Sequence, residues 1–275
     1  MKNIFARDPL KIKEIKPMIL RPMPLWESLL FFGIPAIIAI LCIFKLYPYL
    51  VTNGFSNIMS YLICLNIPIT IMLVTSFVAL KIECNSIDWL VLRNRFRIET
   101  MDRRDWLWTI VLTLIMFITT GLLSVLLSYI IPELIGKGLI KIPDTIPPFI
   151  DIRIPQNIES IKAQMGINAI GNVTLLIIFI ITLILGILGE EFLFRGYVLP
   201  RQELYHGKNA WVVHGILWMF AHSFKWWQML ALLPGTLALS FVSQRLKTTS
   251  PAVIAHFITN FVGSIGFVLI IIGYL

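Results

Sequence analysis

Charge is scarce in this chain. Only 14% of its 275 residues are Asp, Glu, Lys or Arg, against about 25% in an ordinary soluble domain. That scarcity excludes a water-soluble globule of this length. Cysteine is scarce too: Cys42, Cys64 and Cys84 are scattered without ligand spacing, which excludes a disulfide framework, and two of them read as small core residues. No internal repeat or low-complexity tract is visible. The first apolar run follows about two dozen mixed, basic residues and lacks a small-x-small cleavage site, so it reads as an uncleaved anchor rather than a signal peptide. The C-terminal Ile272-Gly273-Tyr274-Leu275 carries no lipidation signal.

What the chain has instead is apolar length. Hydrophobic residues make up 57% of it. Apolar runs predict about seven spans, near 27–46, 58–80, 106–131, 173–199, 209–226, 228–244 and 251–273, each roughly the ~20 residues a helix needs to cross the hydrocarbon core. The expected fold is therefore an all-α, polytopic membrane helical bundle, one integral domain over 1–275, with a kink at Pro234-Gly235 in the sixth run. The net charge of +8 is not a nucleic-acid footprint, because the basic residues cluster in alternate loops. Lys2, Arg7, Lys11, Lys13, Lys16 and Arg21 precede the first span; Lys81, Arg93, Arg95, Arg97, Arg103 and Arg104 follow the second; Arg201, Lys208, Arg245 and Lys247 lie in later loops on the same side. By the positive-inside rule the N-terminus is cytoplasmic. The one long loop, 132–172, is broken by Pro143, Pro147, Pro148 and Pro155, after which Ile158, Ile161 and Met165 predict a short interfacial helix.

Against this background three polar clusters stand out: Glu190-Glu191 with Arg195, His222 in Trp218-Met219-Phe220-Ala221-His222, and His256 with Asn260. Ionisable groups inside a membrane are costly and by default mark function. Glu191 and Arg195 are four apart, the spacing at which two side chains pair on one helical face. Arg195 then balances Glu191, and Glu190, rotated by about 100°, faces the interior as a candidate general base. His256 and Asn260 share a face at the same spacing. At ~1.5 Å per residue, Glu190, His222, His256 and Asn260 lie about 14, 20, 8 and 14 Å from one end of the bundle, compatible with a single site. His214 reads as a hydrogen-bonded core residue and His206 as a solvated loop residue.

In order along the chain, Glu-Glu-x-x-x-Arg, aromatic-x-x-x-His and His-x-x-x-Asn resemble the motifs of the CPBP family of intramembrane proteases, the CAAX protease and bacteriocin-processing (Abi) group, over about residues 170–265. Arg245-Leu246-Lys247-Thr248-Thr249-Ser250-Pro251 is similar to the approach to the family's last motif; Trp218 stands where Phe is common. The resemblance implies hydrolysis of a peptide bond in a membrane-associated or lipidated protein or peptide. Glu190 would activate water with His222, His256 and Asn260 would donate to the oxyanion, and Glu191 and Arg195 would support them. Two histidines and a glutamate are also catalytic zinc ligand types. With no HExxH and with Asn260 a poor ligand, no metal or other cofactor is expected. The rhomboid Gly-x-Ser-Gly and the presenilin-type Gly-x-Gly-Asp are absent. The competing readings are a non-catalytic bacteriocin self-immunity or partner-binding membrane protein of the same fold, and an ion-coupled transporter, which would be expected to show internal repeats.

Overall fold

The computed structural model describes residues 20–84 and 87–275. The basic tail Lys2 to Lys16, used above to orient the chain, lies outside the described residues. Those described form an all-α bundle. α1 (Leu25–Leu41) passes through a π-helical turn, Cys42–Leu46, into α2 (Tyr47–Thr52). α3 (Asn57–Cys84) returns, and α4 (Trp89–Arg95) is a short helix capped by Asp88. α5 (Arg103–Gly136) is the longest helix. Asp102 and Asp105 form a reciprocal capping box at its start, satisfying backbone N–H groups that the first turn leaves unpaired.

The long loop then carries α6 (Ile158–Met165), started by Asn157 and stopped by Gly166 at φ +78°. α7 (Val173–Glu190) runs without a break into a π-helical segment, Glu191–Val198, and α8 (Leu199–His206). The chain reverses at Gly207, whose φ of +57° suits glycine. α9 (Ala210–Ala221), α10 (Leu233–Leu246) and α11 (Ser250–Ile271) complete the bundle.

Among the described residues six stretches are long and apolar enough to span a membrane, against the seven expected: Leu25–Thr52, Asn57–Cys84, Arg103–Gly136, Val173–Ala221, Met229–Leu246 and Ser250–Ile271. The expected fourth and fifth runs fall within one helical stretch that folds back at Gly207. Its return arm, α9, has 12 residues, about 18 Å, too short to cross ~30 Å of hydrocarbon alone. At Pro234-Gly235, where a kink within the sixth run is expected, a 3₁₀ turn (Met229–Leu232) gives way to α10. Pro234 occupies the first turn of α10, where its missing N–H costs nothing.

The basic loops meet at one end of the bundle. Glu83 pairs with Arg95 (2.9 Å) and Arg201, while Glu203 takes Arg97 (2.7 Å) and Lys247. Thr249 of the α10–α11 turn binds the loop before α5, its N–H donating to the Arg97 carbonyl at 2.8 Å and its hydroxyl to that of Phe96 at 2.7 Å. His206 is half-buried against Tyr205 rather than solvated.

Two glycines permit the close helix contacts beneath the polar clusters. A Cβ on Gly189 would lie 2.8 Å from the Ile69 carbonyl oxygen of α3, and one on Gly215 would lie 2.9 Å from the Leu237 Cα of α10. Gly263 of α11 meets nothing within 4 Å. Gly215→Ala is therefore expected to destabilise the protein by about 1–3 kcal/mol through overpacking, whereas Gly263→Ala, inside α11 with open space around it, is expected to stabilise it by up to about 1 kcal/mol. Thermal unfolding of the detergent-solubilised variants measures the contrast.

Candidate active site

The site is built around one buried ion pair. Glu191 opens the π-helical segment, and Arg195 sits one turn on. Both side chains are 0% exposed and they pair directly. π-helical turns are rare and recur at functional sites. The expected pairing of Glu191 with Arg195 is present. The Arg195 guanidinium also lies 3.8 Å from the centroid of the Trp218 ring, a cation–π contact from α7's continuation to α9.

The second histidine attaches to this pair. His256 Nδ1 is 2.8 Å from Glu191 Oε1, and Asn260 Nδ2 is 3.2 Å from His256 Nε2. A carboxylate can only accept, so for a neutral ring Nδ1 carries the hydrogen and Nε2 accepts from the Asn260 amide. His256, expected to donate to an oxyanion, thus has both ring nitrogens occupied and is buried. Asn260 is exposed into a cavity and keeps its second N–H. Of the two expected donors, only Asn260 faces open space.

Trp218 organises the first histidine and the first glutamate. Its indole Nε1 donates to Glu190 Oε2 at 2.7 Å, and its carbonyl lies 3.1 Å from His222 Nδ1. That carbonyl only accepts, so His222 Nδ1 holds the hydrogen and Nε2 is left as an acceptor. The Trp218 ring packs edge-on against both His222 (5.9 Å) and His256 (5.4 Å). In the sequence Trp218 is marked only as the aromatic residue four before His222, where Phe is common. Its N–H hydrogen bond to Glu190 spans 28 residues and has no local sequence signal.

Glu190, His222 and Asn260 line a single cavity of ≈ 630 Å³, with Thr259, Ser264 and Lys225 among its other polar walls. The remaining lining is mostly apolar side chains of α1, α3, α5 and α7. Glu190 is half-buried at its edge. The structure therefore brings together all six residues singled out from sequence, in two tiers: Glu190, His222 and Asn260 on the cavity, and Glu191, Arg195 and His256 behind them. His214 has the core role expected, its Nδ1 2.7 Å from Gln202 Oε1 and its side chain fully buried. Among the described residues no three His, Cys, Asp or Glu side chains converge as a metal-binding group.

Removing one member of the buried pair leaves the other charged and uncompensated. Glu191→Gln is expected to lose about 3–5 kcal/mol of stability, and the double variant Glu191→Leu with Arg195→Met to recover much of it. Equal losses in single and double variants, read by thermal unfolding, would show that the pair is not what holds this segment.

Residues 172–262 match the family model described as Rce1-like, type II CAAX prenyl endopeptidase. The matched stretch is about a third of the chain and contains all six residues. It agrees with the resemblance carried by the three motifs, and together with the six apolar spans it supports an integral membrane protein. No curated protein and no solved structure matches the chain.

Proposed function

We propose that this chain, whose residues 172–262 fall within the Rce1-like CAAX protease family, is an intramembrane endopeptidase that hydrolyses a peptide bond with a water activated by Glu190. The observation that carries the reading is the convergence of a carboxylate, an imidazole acceptor and an amide donor on one mostly apolar cavity.

Amide hydrolysis needs a base for water and fixed donors where negative charge develops. Trp218 fixes one oxygen of Glu190 and leaves the other for a water. His222, held by the Trp218 carbonyl, offers Nε2 as a second acceptor for the same water. The water oxygen attacks the carbonyl carbon while Glu190 takes its proton. The Asn260 N–H stabilises the oxyanion of the tetrahedral intermediate. Glu190 then returns the proton to the departing nitrogen as the C–N bond breaks, giving a carboxylic acid and an amine, between which the second water proton passes to leave a carboxylate and an ammonium.

His256 is assigned as a positioning residue. It transmits the rigidity of the Glu191–Arg195 pair to Asn260 through two hydrogen bonds. No metal enters this mechanism. With the basic end of the bundle cytoplasmic, the start of α1 lies on that side, Met23 N–H donating to the Arg201 carbonyl at 3.1 Å.

Comparative terminal-peptide profiling of cells carrying wild-type or Glu190→Gln protein tests the activity. The wild type is expected to generate termini that Glu190→Gln and His222→Ala lose, at rates lower by about 10²–10⁴. Retained processing in both variants would leave a non-catalytic membrane protein as the better reading. Asn260→Ala is expected to lower kcat by about 10²–10³ with little change in KM, measured on a cleaved peptide identified in that profile. Activity is expected to survive chelation. Stoichiometric zinc in the purified protein, together with loss of cleavage on its removal, would sink the metal-free mechanism.

A further inference from the structure

The cavity contains a cation that the mechanism does not use. Its lining holds one carboxylate, one imidazole and one ammonium, those of Glu190, His222 and Lys225, beside the phenol of Tyr61. Lys225 reaches the cavity for a local reason. Ser223–Lys225 is a 3₁₀ turn, in which residues three apart align, so Lys225 follows His222 onto the same face.

The turn is firmly held. The Lys225 N–H donates to the His222 carbonyl at 3.0 Å and the Gln228 N–H to that of Lys225 at 2.9 Å. Trp227, almost fully buried, donates its indole N–H to the Ile150 carbonyl at 2.8 Å. The Lys225 ammonium lies 5.7 Å from the centroid of the Phe224 ring. Glu190 acts on it electrostatically. Yet among the described residues no carboxylate lies within the 4.0 Å of an ion pair from it.

Every other ionisable group of the site has a named partner. Glu190 has Trp218, His222 has the Trp218 carbonyl, and Glu191 has both Arg195 and His256. An ammonium in a mostly apolar cavity with no carboxylate in direct contact, and Glu190 acting only at longer range, is costly. It is stabilised when an anion arrives.

We propose that Lys225 is a specificity-determining residue that receives a carboxylate of the substrate, so that the protein selects an apolar peptide with an acidic group close to the scissile bond. The proposal rests on the endopeptidase reading. The mostly apolar lining suits an apolar peptide, and the Lys225 side of the cavity supplies the one cationic seat. A carboxylate fits better than a phosphate dianion, because the Glu190 charge on the same cavity repels the second negative charge. The carboxylate belongs either to the peptide C-terminus or to an Asp or Glu side chain.

The test uses the full chain in detergent and three fluorescent apolar peptides. One ends in a free carboxylate, one is its C-terminal amide, and one is amidated but carries an internal Glu. Binding is measured on the Glu190→Gln protein, so that it is read without turnover, and kinetics on the protein with Glu190 intact. At least one carboxylate peptide is expected to bind about tenfold more tightly than the neutral amide. Which peptide does so identifies the source of the carboxylate. Adding Lys225→Met is expected to abolish the preference and Lys225→Arg to retain it. In the kinetics, Lys225→Met is expected to raise KM for that peptide about tenfold with kcat nearly unchanged. Equal binding of all three peptides overturns the proposal even if Lys225→Met fails to fold. So does a kcat loss in Lys225→Met that is the same for every peptide, which would make Lys225 a partner of Glu190. Failure of the endopeptidase reading is separate: no peptide or cellular substrate would be cut in a Glu190-dependent way, whatever the binding preference.

Discussion

Glu191 and Arg195 are withdrawn completely from solvent in the middle of an apolar helical stretch, and the geometry of the site follows from how that charge pair is accommodated. A buried pair is weak evidence for stability, because desolvation offsets much of its attraction. What it imposes is arrangement. Arg195 needs an aromatic face, which brings in Trp218. Glu191 needs a second donor, which brings in His256. Those two contacts draw α9 and α11 to the same point on the α7 continuation. Trp218 then presents its N–H to Glu190, and His256 presents its acceptor nitrogen to Asn260. The groups facing the cavity are thus oriented by groups that do not face it.

The close approach this requires is set by small residues. Gly189, beside the two glutamates, lets α7 pack against the Ile69 carbonyl of α3, and Gly215 lets α9 pack against the α10 backbone. Without a strong hydrophobic drive between helices in lipid, such small-residue contacts supply much of the association. The ion pairs and threonine contacts at the basic end then tie the α10–α11 turn to the loop before α5, fixing the start of the helix that carries His256 and Asn260.

Periodicity and composition made the bundle legible, because apolar length is a strong signal in a chain with so little charge. They give about seven apolar runs where the described residues hold six span-length stretches, because α9 is apolar but short and hydropathy does not register that the chain folds back at Gly207. The six polar residues were legible because charge inside apolar runs is rare. The i,i+4 relation of Glu191 and Arg195 was correctly paired for the same local reason. What local spacing could not supply was the wiring. His256 binds Glu191, 65 residues away, so its nitrogens are not free for an oxyanion. Trp218 donates to Glu190 through a polar atom easily overlooked on an aromatic side chain. Lys225 escaped notice because a lysine near a turn ordinarily reads as solvated, and only the 3₁₀ geometry places it on the cavity with His222.

The division of charge is the more general point. Groups that neutralise one another can be buried without water, and Glu191, Arg195 and His256 are balanced in charge, although Glu191 Oε2 and Arg195 Nε and Nη2 have no hydrogen-bond partner. Glu190 and Lys225 are different: each is half-buried on the cavity, and each is only partly answered by the protein. A bundle selected for stability alone would pair them or replace them with apolar side chains, since removing an uncompensated charge from lipid depth lowers the free energy of the folded state. Keeping a carboxylate and an ammonium on one cavity without direct contact between them makes sense if their remaining partners arrive from outside, a water for one and an anionic group for the other. The same incompleteness that costs the empty protein stability then becomes binding and reactivity once the cavity is filled.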